Sequence, residues 1–322
     1  VAEPAHTSTS VADPTSSPTG GFGDRVAACV AQRESQIVLG LDPDPMALWP
    51  LGETDVGDSP AQRVAAAVLA HCRALIDAAG PACVAVKPQL ARFEALGADG
   101  WAALAATVAH ARERGLLVIA DAKRGDIDVS AHAYASALIG ELHTPLGAIR
   151  GLGVDMVTVN PLMGTDALEP FVTVAREWRA GLLVLVRTSN PGAADIEDLR
   201  LHGGERVWER IATIVAALGD GHAGASGLSD VGAVVGATVP AHLARARELM
   251  PHAVLLLPGI GAQGGRVEEL AAAFAPGRAG GLISASRSIA NAHLAPGAGT
   301  DPAAAARQEA ERLRALAWGL SR

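Results

Sequence analysis

Eight short runs rich in Val, Ile and Leu alternate along this chain with longer Ala-rich segments of helical period, and that alternation limits the possible architectures severely. The apolar runs cover residues 37–41, 84–86, 116–120, 156–159, 182–186, 233–235, 254–257 and 281–283. Short continuous apolar runs suit strands covered on both faces, as in a parallel sheet flanked by helices. Parallel neighbours need a crossover. The segments 60–79, 98–113, 129–139, 167–177, 205–218, 241–249, 267–274 and 302–318 supply one after each run.

Eight βα units predict a closed (β/α)8 TIM barrel, an α/β fold; the alternative, an open doubly wound sheet, would need fewer strands or a clear second domain. At 322 residues the chain is longer than the ~250 typical of such a barrel. The excess falls in three places. Residues 1–21, rich in Ser, Thr, Pro and Ala, are expected to be a disordered leader, with the barrel as a single domain over 22–322. Residues 140–153 form an extended crossover, and the long connection between the fifth and sixth strands has the size of a lid.

A hydrophobic fraction of 49% provides ample material for a core, and a net charge of -8 argues against nucleic-acid binding through a basic surface. A small-molecule partner is expected instead. Cys29, Cys72 and Cys83 are odd in number and lack metal-site spacing, which fits free thiols in a reducing, cytoplasmic setting. No run of 18 uninterrupted apolar residues occurs, so no membrane span is expected, and the leader lacks the basic start and apolar stretch of a signal peptide.

Lysine is nearly excluded: of 26 basic residues only Lys87 and Lys123 are lysines. Unlike guanidinium, an ammonium group can lose and regain a proton near neutrality. Both lysines lie just past the ends of predicted strands. Catalytic groups in these barrels occupy the C-terminal strand ends, where this chain places Asp42 after the first strand, Lys87-Pro88-Gln89 after the second and Asp121-Ala122-Lys123-Arg124-Gly125-Asp126 after the third. Later ends carry Asn160-Pro161, Thr188-Ser189-Asn190, Gly236-Ala237-Thr238, Pro258-Gly259-Ile260-Gly261-Ala262-Gln263-Gly264-Gly265 and Ser286-Arg287. One Asp at a strand end is usually a turn or cap residue. Asp42, Lys87, Asp121, Lys123 and Asp126 together would instead form an alternating charge array, the form in which buried charge is tolerated. The Gly-rich turn after strand seven and Arg287 after strand eight suit a phosphate, with Gln263 as a further donor.

These motifs, taken in order over residues 36–290, resemble the orotidine 5'-phosphate decarboxylase family. Asp-x-Lys-x-x-Asp alone is shared with related decarboxylases and aldolases; Lys-Pro-Gln, Pro-Gly-Ile-Gly-Ala-Gln-Gly-Gly and Ser-Arg-Ser-Ile narrow the resemblance, and Thr-Ser-Asn-Pro with Gly-Ala-Thr point to its longer bacterial (type 2) subfamily. The resemblance implies conversion of orotidine 5'-phosphate to uridine 5'-phosphate and CO2 in pyrimidine biosynthesis, with no metal or organic cofactor. It assigns Lys123 to stabilise and protonate the C6 carbanion, Asp121 to face the substrate carboxylate, and Lys87 and Asp42 to the ribose. Ser189 would read the pyrimidine edge, while Pro258, Gln263, Gly264 and Arg287 would line the phosphate site. Asp126, Ile127 and Ser130 would enter the site of a second subunit, which implies a homodimer with shared sites. The competing functions are a Mg2+-dependent sugar-phosphate decarboxylase or aldolase and a non-catalytic nucleotide-binding barrel.

Overall fold

The protein is described by a computed structural model covering residues 20–50, 57–260, 264–297 and 299–321. The proposed leader therefore lies outside the described residues apart from Gly20 and Gly21, and Gln263 lies outside them too. In chain order come α1 (Phe22–Arg33), β1 (Ile37–Leu41), α2 (Pro60–Ala79), β2 (Ala85–Pro88), α3 (Leu90–Glu94), α4 (Gly97–Glu113), β3 (Leu117–Arg124) and α5 (Asp128–Leu138). A hairpin of β4 (Glu141–Thr144) and β5 (Gly147–Arg150) precedes β6 (Met156–Val159), α6 (Thr165–Glu177), β7 (Gly181–Arg187), α7 (Ala193–Ile196), α8 (Val207–Gly219) and β8 (Val231–Val235). The chain ends with α9 (Pro240–Leu249), β9 (Leu255–Leu257), β10 (Gly281–Ala285), α10 (Arg287–Ala290) and α11 (Pro302–Leu320).

Strands β1, β2, β3, β6, β7, β8, β9 and β10 close in that order into an all-parallel barrel, as the alternation predicts. Two cores result. Val38, Ile119, Met156, Leu183, Leu256 and Leu282 belong to the smaller one, while the strand residues between them, such as Leu39, Val118, Val157 and Val184, pack with the helices. That division is the period-two alternation of strand side chains acting on two buried faces. Helix α2 is long and apolar enough to cross a membrane on composition alone. It instead buries Val68, Cys72, Leu75 and Ile76 in the larger core.

Several features depart from the expected pattern. Helix α1 was not anticipated, yet its Phe22, Val26 and Val30 join the smaller core and close the N-terminal end of the barrel. A Cβ at Gly181, the first residue of β7, would stand 2.4 Å from the Phe22 ring, so the plug requires glycine there. The crossover at 140–153 contains an antiparallel hairpin pinned by Gly151 N–H to the Gly140 carbonyl (3.0 Å). The seventh helical segment, 267–274, is two 3-10 turns rather than an α-helix. The long connection after β7 contains the short α7 and then α8, with 188–206 before α8 and 220–230 after it.

Arg247 has no carboxylate partner among the described residues and is 8% exposed. Its two terminal nitrogens donate to the carbonyls of Met250, Pro251, Ala253, Ala273 and Gly280 at 2.8–3.2 Å, fastening α9 to the segments that lead into β9 and β10. Burial lowers its pKa to about 10, still well above neutrality, so the guanidinium stays charged. Replacing it strands several buried acceptors at about 1–3 kcal/mol each before relaxation and water entry. Arg247→Ala is expected to lower stability by roughly 3–5 kcal/mol, measured as the shift in urea midpoint at unchanged slope; a loss under 1 kcal/mol would contradict this account.

Candidate active site

The third barrel strand carries the site because it does not stop where its apolar run stops. The sequence places its end at Ala120, but β3 continues through Asp121, Ala122 and Lys123 to Arg124, with an irregular register against β6 between Ala120 and Arg124. Such a bulge re-aims the side chains that follow it. Two backbone contacts hold the extension: Lys123 N–H donates to Thr158 Oγ1 (2.9 Å) and Asn160 N–H to the Arg124 carbonyl (2.8 Å). Lys123 itself adopts φ 48°, the left-handed region that non-glycine residues seldom enter, at a cost on the order of 1–3 kcal/mol.

Asp121 is the centre of the array. Lys87 Nζ lies 2.6 Å from its Oδ2 and Lys123 Nζ 2.5 Å from its Oδ1. Gln89 Nε2 donates to Oδ2 (3.1 Å) and Thr158 Oγ1 to Oδ1 (3.1 Å), so each carboxylate oxygen accepts two hydrogen bonds. Burial by itself would raise the Asp121 pKa; the charges and hydrogen bonds of Lys87 and Lys123 outweigh it and hold the carboxyl below the usual carboxylate range. The lysines differ in exposure. Lys87 and Asp121 side chains are under 10% exposed, whereas that of Lys123 is 45% exposed. Lys123 is therefore the more accessible of the two ammonium groups.

Asp42, after β1, accepts from Ser286 Oγ at 2.6 Å through Oδ2. Its Oδ1 is buried and has no hydrogen-bond partner among the described residues. It lines a cavity of about 550 Å³ together with Gln89, Ser286 and Arg287. Gln89 thus joins this cavity to the Asp121 array.

Past β9, the Pro258 carbonyl accepts from Ala237 N–H (2.9 Å), which ties it to the end of β8. Gly259 (φ 106°) and Gly264 (φ 88°) take conformations open to glycine, and the turn is closed by Gly265 N–H to the Gly259 carbonyl (3.0 Å). Gly264 and Arg287 are both exposed. Ser189 is half-buried at the end of β7. Among the described residues no hydrogen bond or ion pair connects Asp126, Ile127 or Ser130 with this array: Asp126 Oδ1 accepts from Ile127 N–H (2.8 Å), and Ile127 and Ser130 are exposed.

Sequence reasoning missed Thr158, Gln89 and Ser286 as site residues. Thr158 had a usable signal, since it is the one polar residue in the run Met156-Val157-Thr158-Val159. The pairings of Gln89 and Ser286 depend on contacts between strand ends, which spacing does not reveal.

The orotidine 5'-phosphate decarboxylase / HUMPS family model matches residues 35–308. An orotidine 5'-phosphate decarboxylase of Deinococcus radiodurans is 42% identical over 293 residues, covering 90% of this chain and 97% of that protein. Its counterpart from Rhodopirellula baltica is 40% identical over 272 residues, 84% of this chain and 89% of that one. Among solved structures, Leishmania donovani OMP decarboxylase superposes with a TM-score of 0.69 at 31% identity, covering 92% of this chain and 99% of that one. A Streptomyces avermitilis crystal structure gives 0.76 at 32% identity, covering 93% and 95% respectively.

Because the folded pKa of Asp121 is depressed, its stabilising contribution is complete above the unfolded value of about 3.9 and is lost as pH falls through the folded value. Asp121→Asn should destabilise the protein by about 3–5 kcal/mol at pH 7 by leaving Lys87 buried without a counter-ion. The gap from wild type should narrow on acidification below pH 4, read by denaturant unfolding. A pH-independent gap would contradict the ionised pairing.

Proposed function

The chain belongs to the orotidine 5'-phosphate decarboxylase / HUMPS family, and from that membership we propose that it converts orotidine 5'-phosphate to uridine 5'-phosphate and CO2, the decarboxylation that completes pyrimidine nucleotide synthesis. The observation that carries this reading is the carboxylate of Asp121 held between Lys87 and Lys123 and joined through Gln89 to the cavity lined by Asp42, whose Oδ1 has no hydrogen-bond donor among the described residues.

In the proposed reaction a ribose hydroxyl supplies the donor that Asp42 Oδ1 lacks, and Lys87 supports the ribose from beneath. Ser189 reads the pyrimidine edge. Arg287 and the turn bearing Pro258, Gln263 and Gly264 hold the phosphate. The substrate carboxylate sits against Asp121, the C6–carboxylate bond breaks, and its electron pair remains at C6 in the ring plane, where the π system cannot delocalise it. The Lys123 ammonium stabilises that pair electrostatically, transfers a proton to C6, and is reprotonated from solvent.

Repulsion between Asp121 and the substrate carboxylate makes only a partial contribution. Two like charges ~4 Å apart at an effective dielectric of ~20 interact by about 4 kcal/mol, against the ~8–23 kcal/mol by which enzymes lower barriers. Carbanion stabilisation and phosphate-binding energy account for the larger share. A metal-dependent reaction of the same superfamily is less well supported, because both Asp121 oxygens are already engaged by two ammonium groups, an amide and a hydroxyl.

We place Asp126, Ile127 and Ser130 in the site of a second subunit. The exposure of Ile127 and Ser130 supports this, as do the exposed apolar side chains Val129, Leu162 and Met163 around the motif. The active unit is then a homodimer formed by barrels spanning residues 22–322. The three free cysteines, two of them buried, agree with a reducing, cytoplasmic location.

Purified protein should turn over orotidine 5'-phosphate, followed by ultraviolet absorbance, and EDTA should leave the rate unchanged; no conversion by folded protein would overturn the assignment, and loss with EDTA would favour the metal-dependent alternative. Lys123→Ala should cost at least about 10²–10³-fold in kcat while inorganic phosphate inhibits binding of a nucleotide probe as before. Neither Asp126→Ala nor Lys123→Ala alone should turn over at the wild-type rate, yet mixing them should restore activity if Asp126 acts across the interface.

A further inference from the structure

The segment after Ser189 is built as a brace rather than as a free flap. Arg187, the last residue of β7, donates to both Asp198 oxygens, from Nε at 3.0 Å and from Nη2 at 2.8 Å. The adjacent Glu197 accepts from Thr188 at both oxygens: the backbone N–H donates to Oε2 (2.8 Å), and the hydroxyl, whose single hydrogen is shared with Asn190 Oδ1 (2.7 Å), reaches Oε1 (2.9 Å). Glu197 is itself anchored, since its N–H donates to the carbonyl of Ala193, the first residue of α7, and its carbonyl accepts from Trp208 N–H in the first turn of α8. Two neighbouring carboxylates therefore fix the two residues immediately before Ser189. Arg187, Glu197 and Asp198 side chains are all 25% exposed or less, so these contacts are only partly screened by water.

A second constraint acts on the other side of Ser189. Gly236 N–H donates to the Arg187 carbonyl (2.7 Å), and a Cβ built on Gly236 would meet the Ser189 Cα and Cβ at 3.0 Å and its nitrogen at 3.1 Å. Ser189 lies directly on the end of β8, with no space for even a methyl group beneath it. Its position is thus set from one side by Glu197 and from the other by the missing side chain of Gly236.

We propose that Glu197 is a positioning residue for pyrimidine recognition: it acts through Thr188 to hold Ser189 at the base edge, and Gly236 provides the seat. This rests on the reading of Ser189 as the pyrimidine contact. Asp198 serves the same end by keeping the Arg187 guanidinium aligned along the strand. The brace selects for the base and leaves the ribose and phosphate contacts of Asp42 and Arg287 untouched.

The test compares inhibition by uridine 5'-phosphate and by ribose 5-phosphate, which lacks the base, using the full chain. Glu197→Ala should raise the uridine 5'-phosphate inhibition constant about tenfold, the size of one lost hydrogen-bond contact, and leave that for ribose 5-phosphate unchanged. Gly236→Ala should do the same by displacing Ser189. Glu197→Gln should stay close to wild type, because its amide oxygen still accepts from Thr188 N–H while the Thr188 hydroxyl turns to accept from the amide nitrogen. Unchanged ribose 5-phosphate inhibition also reports a folded site. Equal weakening of both ligands, or no weakening of either, would overturn the brace. If Ser189→Ala weakens uridine 5'-phosphate while Glu197→Ala does not, the brace alone falls; if Ser189→Ala has no effect, the assignment of Ser189 falls first.

Discussion

The ion pair between Lys87 and Asp121, buried where two neighbouring barrel strands end, sets the terms for the rest of the site. A carboxylate taken out of water is tolerated only with its lone pairs filled, and Asp121 fills them with two ammonium groups, an amide and a hydroxyl. Those four donors come from β2, the turn after it, β3 and β6. A barrel that closed in another strand order could not assemble them. The unusual backbone at Lys123 belongs to the same device, since its left-handed φ accompanies the bulge and Thr158 bonds both to its N–H and to Asp121.

Stability and chemistry occupy opposite ends of the barrel. At the N-terminal end α1 fills the interior with Phe22, Val26 and Val30, and Arg247 ties together the segments leading into β9 and β10. At the C-terminal end the groups are polar, partly exposed and in places unsatisfied, as at Asp42 Oδ1. A well-packed base permits this arrangement, because the local cost of an open acceptor and a left-handed lysine is borne by the fold as a whole.

The rim also separates recognition from reaction. Asp121 and Lys123 stand on the third barrel strand, Asp42 and Ser286 meet across the β1–β10 pairing, and Ser189 is held between the ends of β7 and β8. Each group of residues is secured by its own contacts. Glu197 and Asp198 lie in the connection whose length alone suggests a lid, and they convert it into support for the two residues before Ser189.

The sequence by itself determined the barrel, because eight apolar runs separated by helical segments admit few other closed solutions, and it located Lys87, Asp121 and Lys123 because lysine is so scarce that the two survivors stand out. Local patterning was sufficient there: periodicity and composition are properties of consecutive residues. It did not disclose α1 or the continuation of β3 through the motif, since each is stabilised by partners distant in the chain, such as Gly181 against Phe22 for α1 and Thr158 for β3. Nor did it disclose that Thr158, Gln89 and Ser286 complete the site, or that Glu197 reaches back to Thr188. Tertiary structure decided these because a hydrogen bond between strand ends depends on the register and closure of the whole barrel, and no spacing within one segment encodes that distance.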